Sequence, residues 1–131
     1  MAARAKRVLD VGQCRPDHSA TRGVLVSWFG VDVDQAHSAD EALAKLGEKP
    51  YDLVLVNRQL DADRSPGLDL IRSIRREAKL SDVPVMLISS QDDAQEAAVE
   101  AGAVRGFGKA VLAHPATQVL LKPYLDITAW A

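Results

Sequence analysis

Four consecutive apolar residues, Leu53-Val54-Leu55-Val56, stand between Asp52 and the polar stretch Asn57-Arg58-Gln59. A half-buried strand would alternate apolar with polar residues. An unbroken run this short, half of it β-branched, instead fits a central strand covered on both faces. Strands of that kind belong to parallel sheets, which need a helix at each crossover. The run therefore restricts the chain to α/β architectures.

The rest of the chain supplies the alternation that such a fold needs. Arg7–Val11 forms a first apolar strand. A helix over Pro16–Phe29 follows, with Ala20, Val24, Leu25, Trp28 and Phe29 at three and four spacing and Gly30 placed to end it. Val31–Ala36 is the second strand. Ser38-Ala39-Asp40-Glu41 has the form of a capping box, so a helix runs from there to Leu46 and stops at Gly47. After the central strand comes a polar loop, Asn57 to Ser65. Ser65-Pro66 then supplies an N-cap and first helical residue for a helix through Leu68, Ile71 and Ile74. Val83–Ile88 is the fourth strand. The fourth helix spans Asp92–Ala101, with Ala94, Ala97, Ala98 and Ala101 toward one side, and Gly102 ends it. Val104–Phe107 is a short fifth strand. The last helix starts near Pro115 and continues toward Trp130, with a kink or break expected at Pro123. Right-handed crossovers then give a flavodoxin-like, doubly wound five-stranded parallel sheet of order 2-1-3-4-5, with helices on both faces. Residues 7–131 make one domain behind a basic tail, residues 1–6.

Charge and composition narrow the partners. Sixteen Lys+Arg against eighteen Asp+Glu give a net charge of −2, so no basic excess exists to carry nucleic-acid binding. Cys14 is the single cysteine, which excludes a disulfide within the chain and suits a reducing compartment. No apolar run approaches the ~18–20 residues of a membrane helix. The basic N-terminus has no apolar stretch behind it and does not have the form of a signal peptide. A cytoplasmic protein without membrane or nucleic-acid partners is the expectation.

In a doubly wound sheet, ligands sit beyond the carboxyl ends of the strands. That draws attention to residues 12–15, 57–61, 89–90 and 108–110. Around them the chain resembles the receiver domain of two-component response regulators (CheY-like). Tyr51-Asp52-Leu53-Val54-Leu55-Val56-Asn57 resembles the strand leading to that family's phosphoacceptor. Ser38-Ala39-Asp40-Glu41-Ala42-Leu43 resembles the start of its second helix. Val83-Pro84-Val85-Met86-Leu87-Ile88-Ser89-Ser90 resembles its fourth strand with the terminal hydroxyl. Glu100-Ala101-Gly102-Ala103, followed by Lys109, resembles the approach to its lysine. The resemblance spans about residues 7–125 and implies phosphoryl transfer from a histidine kinase to an aspartate. The same resemblance implies Mg²⁺ held by that aspartate and an acidic pair after the first strand.

This chain departs from the pattern where the chemistry is decided. The phosphoacceptor position is Asn57, a neutral amide and a very poor nucleophile. The acidic pair falls on Gln13 and Cys14, or on Gly12 and Gln13 in the other register, and neither choice supplies a carboxylate. Mg²⁺ is a hard cation that needs such oxygens. No metal or cofactor is therefore expected. Ser89 and Lys109 remain as the hydroxyl and lysine equivalents, with Lys109 either solvated or bonded to Asn57. The family's aromatic position in the fifth strand falls on Gly106, beside Phe107. The loop after Asn57 is longer than the family's. Lys122-Pro123 imitates the lysine signature but leaves too few residues for a final helix.

Other residues admit two readings. Asp10, inside the first strand, is either a displaced metal ligand or an acid satisfied by hydrogen bonds or a cation. The cost of burying an unpaired charge favours the second. Asp61 and Asp63, with Asp17, either gather acid at the loop mouth or lie in solvent. Cys14 near a helix start either has an activated thiol or is inert. His18 and His114 lack metal-ligand spacing.

Three functions follow. The expected one is a stand-alone degenerate receiver, not an enzyme, which binds a protein partner without phosphorylation. Its surface would comprise Ala97, Ala98, Ala101, Phe107 and Trp130 and would also suit a homodimer. The second is a working phosphoreceiver using another carboxylate such as Asp61. The third, a flavodoxin-like cofactor binder, is disfavoured because Gly12-Gln13-Cys14-Arg15-Pro16 offers a bulky Arg and an N–H-less Pro where backbone amides would hold a phosphate.

Overall fold

In the computed structural model, which describes residues 5–126, five parallel strands form one sheet of order 2-1-3-4-5. The strands are β1 (Arg7–Val11), β2 (Asp32–Ala36), β3 (Leu53–Asn57), β4 (Val85–Ile88) and β5 (Val104–Phe107). Five helices alternate with them: α1 (Arg15–Phe29), α2 (Ala39–Glu48), α3 (Gly67–Arg76), α4 (Asp92–Glu100) and α5 (Pro115–Leu125). The fold is the expected flavodoxin-like, doubly wound architecture.

The apolar run divides between two cores. Val54 and Val56 join a cluster covered by α2, α3 and α4, which contribute Leu46, then Leu70, Ile71 and Ile74, then Ala98. Leu53 and Leu55 join the opposite cluster with Leu25 of α1 and Leu121 and Leu125 of α5. All four residues of the run Leu53–Val56 are fully buried. Successive side chains of a strand point to opposite faces, so an unbroken apolar run is what two covered faces require.

Several boundaries move, each for a local reason. α2 runs through Gly47 to Glu48 and is capped at Lys49. Its start is the expected one, with Ser38 Oγ accepting from the Glu41 N–H at 3.1 Å. β2 begins at Asp32 and β4 at Val85. α3 opens at Gly67, with Pro66 rather than Ser65 as the flanking residue. Pro66 is held extended by its bridge to Gln59, which removes it from the helix. α5 continues through Pro123 without a break and ends two residues later. The carbonyl that loses its partner there is that of Val119, which is 69% exposed, so water can replace the missing N–H. Trp130 lies outside the described residues.

Candidate functional site

The carboxyl ends of β3 and β4 and the turn after β5 meet at one end of the sheet, around a cavity of about 300 Å³. Asn57, Gln59, Ser89, Ser90 and Lys109 all line it. The fold thus brings together three of the positions that the sequence singled out.

Asn57 closes β3. Its amide Nδ2 donates to the carbonyl oxygens of Gln59 at 2.7 Å and Gly12 at 3.2 Å. Two acceptors fix the orientation of the amide, because the opposite rotamer would set oxygen against oxygen. Of the two expectations for Lys109, solvent or Asn57, the second is not met, because the Asn57 amide bonds Gln59 O and Gly12 O. The Lys109 ammonium instead donates to Asp17 Oδ2 at 2.7 Å. That contact holds the Asp17 carboxyl below its usual range.

The loop after Asn57 is not simply solvated. Leu60, its one large apolar residue, is 1% exposed and packs on Gly12. Gly12 adopts a φ of +84°, and a Cβ there would come within 2.5 Å of Leu60 Cδ2 and 2.9 Å of Leu60 Cα. Both the left-handed backbone and the close approach demand glycine. The Asp61 N–H then donates to Gly12 O at 3.0 Å. The longer loop is thereby stitched onto the turn after β1.

Gln13 and Cys14, where an acidic pair was looked for, face elsewhere. Gln13 is 1% exposed and turns inward, donating from Nε2 to Asp10 Oδ1 at 2.5 Å and to Thr21 Oγ1 at 3.1 Å. Asp10 is fully buried on the α1 side, and its other oxygen meets His18 Nδ1 at 2.7 Å. Burial pushes the Asp10 carboxyl above its usual range, while the Gln13 and His18 contacts oppose that shift. Cys14 is exposed and flanks α1 without making a side-chain cap bond. Ser89 Oγ accepts from the Gln91 N–H at 3.1 Å, at the approach to α4.

The loop acids do not converge. Asp17 is committed to Lys109, Asp61 meets His37 at 2.8 Å, and Asp63 accepts from the Ser65 N–H at 2.9 Å. Among the described residues, no group of three or more His, Cys, Asp or Glu side chains is arranged to hold a metal ion. The residues around Asn57 offer Mg²⁺ two backbone carbonyls already occupied by an amide, and no carboxylate. That donor set does not fit the ion.

The family's sequence pattern matches residues 17–123, described as the response regulator receiver domain. The chain belongs to the response regulator receiver domain family. The match begins beyond the β1–α1 turn of this receiver domain. A gliding motility regulatory protein of Myxococcus xanthus is 34% identical over 89 residues, 68% of this chain. The matched stretch is 11% of that relative's length. Chemotaxis protein CheY4 of Vibrio cholerae superposes with a TM-score of 0.73 at 18% identity, covering 93% of this chain and all of that one. The receiver domain of NtrX from Brucella abortus gives 0.69 at 22% identity, covering 88% of this chain and 98% of that one. Those likenesses show the fold. Receiver domains pass signals through protein partners, and none of the described helices is long and apolar enough to cross a membrane.

The anticipated contact surface needs correction. Ala98 is fully buried against α3 and the sheet, and Phe107 is 6% exposed in the core under α1 and α5. Neither is available to a partner. Ala97 and Ala101 are half-buried. What α4 and α5 do expose is Val99, 46% exposed, and Val119. Around Val119, Ala116 and Pro123 continue an exposed apolar stripe along α5. Leu60 was legible as the lone large apolar residue in a polar loop. The Asp17–Lys109 pair spans 92 positions and leaves no signal in the sequence.

Proposed function

We propose that this receiver domain is a degenerate signalling module of the two-component type, working by protein–protein contact rather than by phosphorylation. The observation that carries this reading is the Asn57 amide, whose donors are aimed at Gly12 O and Gln59 O. A phosphoacceptor must present a carboxylate oxygen as nucleophile. Here the side chain is neutral, and Lys109, which would clamp the product, is paired with Asp17. The module is a binder, not an enzyme, and needs no cofactor. Its partner is a protein of a signalling pathway, or a second copy of the chain, in the cytoplasm. The uncharged stripe of α5 around Val119 supports contact with an apolar surface, since removing exposed apolar area from water is favourable. The net charge of −2 argues against nucleic acid.

Intact mass after incubation with a small phosphodonor and Mg²⁺ tests the reading. The natural protein is expected to gain no phosphate. An adduct on Asn57→Asp alone would mark Asn57 as the lesion that matters. A stable adduct on the natural protein would overturn the proposal and direct mapping to another carboxylate, Asp61 first.

A further inference from the structure

A second cavity, of about 340 Å³, adjoins the one at Asn57 and shares Arg58, Gln59 and Gln91 with it. It lies between the loop after β3 and α4. One wall is formed by Gln59 and Pro66, which bridge to each other. The opposite wall is the first half of α4, where Ala94 and Ala97 lie three residues apart on one side of the helix. Neither carries anything beyond Cβ, so the space between helix and loop stays open. Leu68 and Leu87 close the floor.

The walls are held apart. The Gly67 N–H donates to Arg58 O at 2.8 Å, and a Cβ on Gly67 would overlap the Asn57 carbonyl oxygen. Across the groove, Arg105 and Gly106 together oppose the single residue Leu87, which is a β-bulge. Buried Gln95 of α4 repairs it. Its Oε1 accepts from the Gly106 N–H at 2.8 Å, and its Nε2 donates to Leu87 O at 2.9 Å and Ser89 O at 3.0 Å. Moving α4 onto the loop would break these buried bonds, which is costly. The cavity is therefore preformed, and its volume falls in the range of small-ligand sites, about 300–1,000 Å³.

Its charges point to the ligand. Among neighbouring groups, Lys109 is paired with Asp17, Asp61 with His37 and Asp92 with Arg105. Arg58 and Asp93 both line the cavity, and neither has an ion-pair partner among the described residues. Asp93 Oδ1 accepts only from the adjacent Ala94 N–H, at 2.9 Å. One cation and one anion, both unpaired, thus stand over an apolar floor. A guanidinium suits a carboxylate through two parallel hydrogen bonds, and a carboxylate accepts from an ammonium.

We infer that this cavity binds a small zwitterion with an apolar body, of the α-amino-acid type, whose carboxylate meets Arg58, whose ammonium meets Asp93 and whose side chain covers Leu68, Leu87, Ala94 and Ala97. The inference goes beyond the binding-module reading and does not rest on it, since no part of it uses Asn57 or phosphate.

The test is an NMR titration of the backbone amides of the natural protein with L-leucine. Saturable shifts at residues 58–59, 68 and 91–97 are expected, with a midpoint at or below about 1 mM. Leucinamide lacks the carboxylate, N-acetylleucine the ammonium and glycine the side chain. Each is expected to bind at least about tenfold more weakly, as the loss of a charged contact or of apolar burial implies. Arg58→Gln should weaken leucine about tenfold and leave leucinamide unchanged, because that ligand has no carboxylate to lose. Ala97→Leu, which fills the cavity, should abolish the leucine shifts. No saturation by leucine at about 10 mM would overturn the proposal. Any of the three altered ligands binding as tightly as leucine would refute the ligand class, and unchanged binding to Ala97→Leu would refute the site. The ligand series needs no variant, so the outcome does not depend on any substitution folding.

Discussion

Replacing Asn57 by aspartate changes one atom's role and tests the geometry of the whole site. In the natural protein Nδ2 donates to Gln59 O at 2.7 Å and to Gly12 O at 3.2 Å. The substitution puts a carboxylate oxygen in that place, facing two carbonyl oxygens. Two hydrogen bonds are lost, at about 0.5–1.5 kcal/mol each. The Gln59 contact is solvent-exposed, so water recovers part of its share, whereas the Gly12 contact is partly buried. The expected loss is about 2 kcal/mol at pH 7. For a domain of this size that lowers Tm by roughly 6–10 °C. A protonated carboxyl can still donate one of the two bonds, so the loss should shrink toward about pH 4, near the ordinary carboxylate range. Thermal melts of both proteins at pH 7 and pH 4 measure this directly. A variant at least as stable as the natural protein at pH 7, without added divalent ion, would refute the placement of the amide between two carbonyls.

Leu60→Ala should cost about 2–4 kcal/mol by urea denaturation, because the side chain is buried against Gly12; a solvated loop residue would cost almost nothing. Lys109→Met should cost less than about 1 kcal/mol, since both partners of its ion pair are largely exposed, and the difference should vanish in high salt. Asp10 tests the buried network through pH. Its folded-state pKa is raised by burial, so its contribution to stability is fully present below the ordinary value of 3.8 and is lost as pH rises through the raised one. Asp10→Asn removes that dependence. The natural protein should therefore lose ground to the variant between acidic and neutral pH in denaturant melts, and an equal difference at both would contradict the assignment.

The sequence alone determined the architecture. The run Leu53–Val56 demanded two covered faces, and the helices with their glycine and serine caps supplied the covering; the sheet order followed from the handedness of crossovers. The absence of carboxylates at residues 12–14 and 57 was equally legible, because the identity of a side chain at a strand end needs no coordinates. Tertiary structure decided what those residues do instead. That Lys109 would meet Asp17, rather than solvent or Asn57, depended on how the start of α1 lies beside the turn after β5, a contact between residues 92 positions apart. The small-residue stripe of α4 looked like a surface, yet Ala98 packs inward. A helix's apolar side carries no mark of whether a partner or the protein's own sheet covers it. The bulge at Gly106 and its repair by Gln95 were likewise invisible, since strand register is set by pairing in space, not by either strand alone.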